Sequence, residues 1–147
     1  MSFMGHDRTS VDSKRRIVIA AKFRRALDPA ANETFVVTRG FDGCIAAYPQ
    51  NAWQRRLAEL EALDEKQPTA RAYRRATLFH ADEVKLDGQG RLLLPQSLCE
   101  LARITEGSGA LVVGGGSFLE IWNPEVHSAG ASTEDSYEDN AVRVPRA

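Results

Sequence analysis

The sequence predicts an α+β fold, mainly β, built from two duplicated modules about a pseudo-two-fold axis and joined by bridging helices. Three observations carry this. Short β-branched or aliphatic runs punctuated by turn residues occupy both halves of the chain. Apolar residues at helical spacing fill the stretch between 51 and 80. The two halves also match at a constant offset: Asp12 with Asp87, Arg16 with Arg91, Val37 with Val112, Gly40 with Gly115 and Pro49 with Pro124, each pair 75 apart. That offset exceeds the period of stacked solenoid repeats. A module of roughly 40 residues is too small to hold a core alone, so the two are expected to interlock.

The elements follow in order. A short polar lead ends at Val11-Asp12, and Asp12-Ser13-Lys14-Arg15 reads as a hairpin loop. Arg16 to Ala20 is a strand by its β-branched run, and Phe23, Ala26 and Leu27 mark a short helix stopped at Asp28-Pro29. Thr34 to Thr38 and Cys44 to Tyr48 are strands joined by the turn Gly40-Phe41-Asp42-Gly43. Trp53, Leu57, Leu60 and Leu63 predict one amphipathic helix, broken by Pro68. A second runs from about Thr69 to His80, with Ala72, Tyr73, Ala76 and Phe79 on one side. The first pattern then returns. Glu83 to Leu86 is a strand, Asp87-Gly88-Gln89-Gly90 a loop, Arg91 to Leu94 a strand and Pro95 to Ala102 a helix. Strands at Ala110 to Val113 and Phe118 to Trp122 flank the turn Gly114-Gly115-Gly116-Ser117. The organisation is a first module over 1–50, bridging helices over 51–80, a second module over 81–124 and an acidic tail over 125–147, expected to be disordered or loosely docked.

Composition limits the function classes. The chain has 147 residues, 43% hydrophobic and 27% charged, which suits a soluble globular protein. No apolar run approaches the ~20 residues of a membrane span. The first ten residues lack the apolar centre of a secretory signal. Cys44 and Cys99 cannot form a disulfide framework, so a reducing cytoplasm is expected. The net charge of -1 hides an asymmetry. Residues 1–25 carry seven basic against two acidic side chains, a net +5, and residues 125–147 carry two against five, a net -3. A basic end points to a polyanionic partner, although a charged run is also an ordinary solvated face.

Enzyme readings fare poorly, and no cofactor is implied. His6, His80 and His127 lie far apart in no metal-ligand spacing. A Cys44–His80 nucleophile pair has no local support, and both cysteines read as small core residues. Gly114 to Ser117 lacks the Lys-Ser/Thr and following helix of a phosphate loop. Phe41, Trp53 and Trp122 read as core or interface anchors.

The informative element is Asp-x-x-x-Arg, present in both halves. Asp12 and Asp87 each begin a hairpin loop, and Arg16 and Arg91 each begin the next strand. An ion pair across the loop would orient the guanidinium. Such a surface pair stabilises by only ~0–1 kcal/mol, so its use in both halves suggests positioning. In the first loop Lys14, Arg15 and Arg16 stand in succession. Arginine can fork onto phosphate or onto guanine O6/N7 in the major groove. The second loop has Gln89 and Gly90 instead, so Arg91 is expected to contribute less.

These motifs resemble the MraZ family, bacterial regulators associated with the division and cell-wall gene cluster. The resemblance covers about residues 1–124. It rests on Phe3-Met4-Gly5, Val11 to Ile17, Val36 to Cys44, Tyr48-Pro49 with Trp53, Asp87 to Pro95 and Glu120 to Trp122, in family order. It implies a fold like the SpoVT/AbrB swapped-hairpin β-barrel, twice in one chain. It also implies a ring-like homo-oligomer that binds short direct repeats in promoter DNA, on the nucleoid. No membrane and no small-molecule substrate are implied. The family's Asp-x-x-x-Arg signature maps onto Asp12/Arg16 and Asp87/Arg91, and its DNA-contacting basic residues map best onto Lys14 and Arg16. The chain departs where the family usually has glycine, at Arg15, and proline, at Ala20. Arg15 either adds a phosphate contact or alters the loop. The alternative reading is an oligomeric protein-interaction scaffold of the same fold with weak or no specific DNA binding.

Overall fold

A computed structural model describes residues 2–130 and 137–145. The strands are β1 (His6–Ser10), β2 (Arg16–Val18), β3 (Thr34–Arg39), β4 (Ile45–Pro49), β5 (Asp82–Lys85), β6 (Arg91–Leu93), β7 (Gly109–Gly114) and β8 (Leu119–Trp122). The helices are α1 (Ala21–Arg25), α2 (Gln50–Glu61), α3 (Pro68–Phe79), α4 (Gln96–Ala102), α5 (Pro124–Gly130) and α6 (Tyr137–Arg143). The fold is α+β and mainly antiparallel sheet, with tandem modules. One sheet runs β1-β7-β8-β4-β3-β5, and β2 with β6 forms a separate two-stranded ribbon.

The two halves are threaded through one another. The first module's β1 pairs with the second module's β7, and the second module's β5 pairs with the first module's β3. The registers repeat the sequence offset: Thr9 faces Ala110, and Val84, 75 residues beyond Thr9, faces Phe35. In the ribbon Ile17 lies opposite its own counterpart, Leu92. The main apolar cluster draws on both halves, with Ile17, Ile19, Phe23 and Phe35 against Leu92, Leu94, Leu98 and Ile121, all essentially fully buried. Burying each such side chain is worth ~1.5–3 kcal/mol.

The structure corrects the sequence reading in several places. His6–Ser10, read as a polar lead, is a strand. Its residues are polar because its outer face is exposed, and the backbone of β7 supplies its ladder. The ungapped match does not extend to Pro49 and Pro124. Val37 faces Ala47 in the first hairpin, but Val112 faces Ile121, one residue short of a 75-residue offset. The second turn has lost one residue: Gly40 N–H donates to Cys44 O, whereas Gly115 N–H donates to Phe118 O. The shift keeps Leu119 and Ile121 on the core face with Ile45 and Ala47. The acidic tail, expected to be disordered or loosely docked, carries most of the short helix Pro124–Gly130 and the short helix Tyr137–Arg143, neither with a buried residue; residues 131–136 and 146–147 lie outside the described residues. The Asn123 carboxamide oxygen starts α5 by accepting from Glu125 N–H at 2.8 Å.

Ala20 departs from the family's proline without changing the chain path. Its φ/ψ of -56/146 matches the -57/142 of Pro95, and each residue precedes a short helix.

Helices α2 and α3 build a second, smaller cluster. Trp53, Leu60 and Val36 form its centre, with Tyr48, Leu57, Leu63 and Tyr73 around them. α3 does not pack through Phe79. It faces β3 through Thr77, whose carbonyl accepts from Thr38 Oγ1 at 2.5 Å, and Thr77 Oγ1 donates to Tyr73 O at 2.9 Å. Phe79 sits two residues further on, about 200° around the helix, and is 82% exposed. Trp53 is 8% exposed. Trp53→Ala is therefore expected to cost ~3–5 kcal/mol in chemical denaturation, and Phe79→Ala within ~0.5 kcal/mol. Equal losses would contradict this packing.

Candidate nucleic-acid interface

Each ribbon strand is preceded by a loop whose shape an aspartate sets. Asp12 N–H donates to Arg16 O at 3.0 Å, and Arg15 N–H donates back to Asp12 O at 3.0 Å. Asp12 Oδ1 accepts from Lys14 N–H at 2.9 Å and Arg16 N–H at 2.8 Å. Its other oxygen, Oδ2, accepts from Arg16 Nε at 2.8 Å. The second loop repeats every bond. Asp87 Oδ1 accepts from Gln89 N–H at 2.9 Å and Arg91 N–H at 2.9 Å, and Oδ2 accepts from Arg91 Nε at 2.6 Å. A short acceptor that can reach the backbone two residues on is what this turn requires.

The bonds have two consequences. Backbone N–H donation, first from Arg16 and from Arg91, holds the Asp12 and Asp87 carboxyls below the usual aspartate value. Using Nε for the carboxylate also leaves the two terminal nitrogens of each guanidinium without a hydrogen-bond partner among the described residues. Those nitrogens are the fork that phosphate or a guanine edge takes.

The two loops sit at opposite ends of the ribbon. Arg16 lies opposite Leu93 and Arg91 opposite Val18. Ile17 and Leu92 point inward between them, so both arginines share the outer face. Lys14 is exposed beside Arg16, and Gln89 is exposed at the matching place in the second loop.

Arg15 stands where the second loop has Gly90, and both are left-handed, at φ 60 and 72. For a residue with a Cβ this costs roughly 1–2 kcal/mol. The side chain supplies a compensation. Arg15 Nε donates to Leu94 O at 3.3 Å, and its Nη1 lies 3.8 Å from Glu106 Oε1. In the other half the counterpart carbonyl, Ile19 O, accepts from Arg24 Nε at 2.9 Å. Arg24 arrives from α1 and crosses Gly90, where an added Cβ would come within 3.0 Å of it. The residue matching Arg24 in α4 is the buried, smaller Cys99. Each strand-end carbonyl thus receives one guanidinium, from the helix in one half and from the loop in the other. Sequence reasoning missed Arg24; the glycine–cysteine exchange at matched positions is the signal that could have found it.

The remaining candidates do not form a reaction centre. Burial, followed by the nearby Glu120 charge, pushes the Cys44 thiol up to about 12, and burial also raises Cys99. A thiol held protonated is a poor nucleophile. His6, His80 and His127 lie on β1, after α3 and on α5. Among the described residues no group of three His, Cys, Asp or Glu side chains could hold a metal ion. Nor, among them, is any helix long and apolar enough to cross a membrane. A cleft of about 1000 Å³ lies between the β3–β4 turn and α2–α3, away from the arginine loops. Phe41, at its edge, is 68% exposed and stacks on Tyr73.

The fold and these loops define an internally duplicated α+β protein that presents paired, carboxylate-braced arginines on one face. A family model described as "MraZ protein, putative antitoxin-like" matches the chain twice, over residues 2–76 and 77–143. The chain belongs to the MraZ family. A relative from Herpetosiphon aurantiacus is 40% identical over 95% of this chain and 91% of its own. Another, from Natranaerobius thermophilus, is 36% identical over 97% and 96%, and one from Thermomicrobium roseum is 39% identical over 88% and 87%. All three are named Transcriptional regulator MraZ. The solution structure of PHS018 from Pyrococcus horikoshii aligns over 80% of this chain and 96% of its own at 15% identity, with a TM-score of 0.38, too slight a likeness to weigh.

The lowered aspartates give a signed pH prediction. Their stabilisation is fully present above 3.8 and is lost as the pH falls through the lowered folded values. The melting temperature should therefore drop on acidification below pH 3.8, and less steeply in an Asp12→Asn, Asp87→Asn double variant. Identical acid limbs in calorimetry would show that the carboxylates do not stabilise the loops.

Proposed function

We propose that this chain is a sequence-specific, DNA-binding transcriptional regulator that acts as a homo-oligomer on repeated boxes upstream of the division and cell-wall gene cluster. The observation that carries the reading is the pair of guanidiniums, each fixed through Nε by its own aspartate and open at its terminal nitrogens, on one face of the ribbon. The relatives' shared name supports it. Its expected place of action is the nucleoid, in the cytoplasm, and its partner is double-stranded promoter DNA.

Lys14, Arg15, Arg16 and Arg91 are the proposed DNA-binding set, with Asp12 and Asp87 as the residues that orient it. Arg16 and Arg91 are the base-edge candidates, because fixed geometry is what bidentate recognition needs. Lys14 is a mobile point charge suited to phosphate. Arg15 contributes least, since Glu106 already faces its guanidinium. One such ribbon is a weak binder. Linked copies reading repeated boxes multiply the affinity. Exposed Phe41, Phe79, Leu78 and Leu101 are apolar surface suited to self-association. Sedimentation velocity should show a closed assembly larger than a dimer, and a monomer would remove the multivalent part of the reading.

Fluorescence anisotropy with duplex DNA from upstream of the protein's own gene, against a shuffled duplex, tests the function. Binding should be selective and fall steeply with salt. Arg16→Ala should weaken binding about 5- to 150-fold (~1–3 kcal/mol) and relax selectivity, and Arg91→Ala should do so to a smaller degree. Lys14→Ala should weaken binding on both duplexes alike and reduce the salt slope by about one. An assembly that binds its own upstream DNA no better than the shuffled control would leave the scaffold reading.

A further inference from the structure

Between the two arginines the outer face of the ribbon is not polar. Val18 and Leu93 are its other two residues, and they are 48% and 43% exposed. They are not stray surface aliphatics. The two occupy matched positions in the duplicated modules, each directly across a strand from an arginine of the other module: Val18 faces Arg91 and Leu93 faces Arg16. Directly opposite side chains on one face stand ~4.5–5.5 Å apart. The two rows are two residues apart, ~6.6–6.8 Å along the strand. The outer face is therefore a checkerboard of two guanidiniums and two branched aliphatics.

A strand exposed to water on one side ordinarily turns a polar side chain outward. Here that place is apolar in both halves, while the positions before and after it, Ile17 and Ile19 in one strand and Leu92 and Leu94 in the other, are fully buried. The core is thus complete without Val18 and Leu93. What they offer is two branched apolar surfaces held at fixed depth beside two cations. The major groove is the polyanionic surface that takes this combination. It admits a two-stranded β-ribbon, and within it the one apolar group presented by the bases is the C5-methyl of thymine. Phospholipid phosphates and protein carboxylates also take guanidiniums, but the major groove combines phosphates and base edges with methyl groups in a channel sized for a two-stranded ribbon.

We propose that Val18 and Leu93 are specificity-determining residues that contact thymine methyl groups in the major groove while Arg16 and Arg91 take neighbouring base edges or phosphates. The proposal rests on the DNA-binding reading above and adds which bases the ribbon selects. Phosphate contacts supply affinity for any duplex, and the aliphatic pair makes the interface prefer sites carrying thymine at two symmetric places.

Deoxyuridine differs from thymidine only by that methyl group. Binding of the full chain to the duplex from upstream of its own gene is compared with binding to the same duplex carrying deoxyuridine at every thymine. Loss of two methyl contacts is expected to weaken binding about tenfold, with binding to a shuffled duplex unchanged by the same replacement. A Val18→Ser, Leu93→Ser variant should bind the thymine and deoxyuridine duplexes equally. Selective binding that is indifferent to deoxyuridine in the wild-type chain overturns this proposal and leaves the regulator reading standing. No selectivity over the shuffled duplex in either form overturns both.

Discussion

The rest of the structure depends on backbone pairing between the two modules. Neither half owns a complete sheet: β1 finds its partner in β7, β5 in β3, and β2 in β6. Strands of three to six residues cannot stand alone in water. Threaded through one another, they close the main core around Ile17, Phe35, Leu92 and Ile121. The same pairing makes the candidate site. Leu94 N–H donates to Arg15 O at 2.8 Å and Ile19 N–H to Gly90 O at 2.9 Å, so each loop is tied to the other module's strand. The two arginines share one face because the ribbon register puts Ile17 opposite Leu92.

Rigidity at the loops comes from an inexpensive device used twice. An exposed Asp–Arg pair adds little to stability. Each aspartate here accepts two backbone N–H groups as well as the guanidinium, so it fixes a loop and a side chain together. The guanidinium loses rotamer freedom on folding, which lowers what remains to be lost on binding. The departure at Arg15 is absorbed by the same logic. A strained backbone position is retained because its side chain reaches Leu94 O, the role Arg24 fills from α1 in the other half.

Much of this was legible from residue identities. The 75-residue offset, the two Asp-x-x-x-Arg loops and the mid-chain helices are all written in local chemistry and spacing. Three features were not. β1 has a polar sequence and is a strand only because β7 lies beside it, although its matched segment, β5, shows a strand pattern and would have supplied it through the duplication. The one-residue loss in the second turn is hidden because Pro49 and Pro124 agree by coincidence of spacing. Phe79 follows the apolar spacing of α3, but the helix docks through the polar Thr77. At the candidate site, the Asp12–Arg16 and Asp87–Arg91 pairings could be read from their spacing, but not the direction of Arg15. Arg15 and Arg16 are adjacent in sequence; Arg16 turns to the local Asp12, and a tertiary partner, Leu94 O, takes Arg15 the other way.

The most direct measurement is hydrogen–deuterium exchange of the full chain with and without a duplex from upstream of its own gene. New protection is expected at residues 12–18 and 87–93 together, with the α2–α3 cleft unchanged. Protection confined to the cleft, or to one of the two loops, would contradict the claim that the paired arginine loops form the DNA-facing surface.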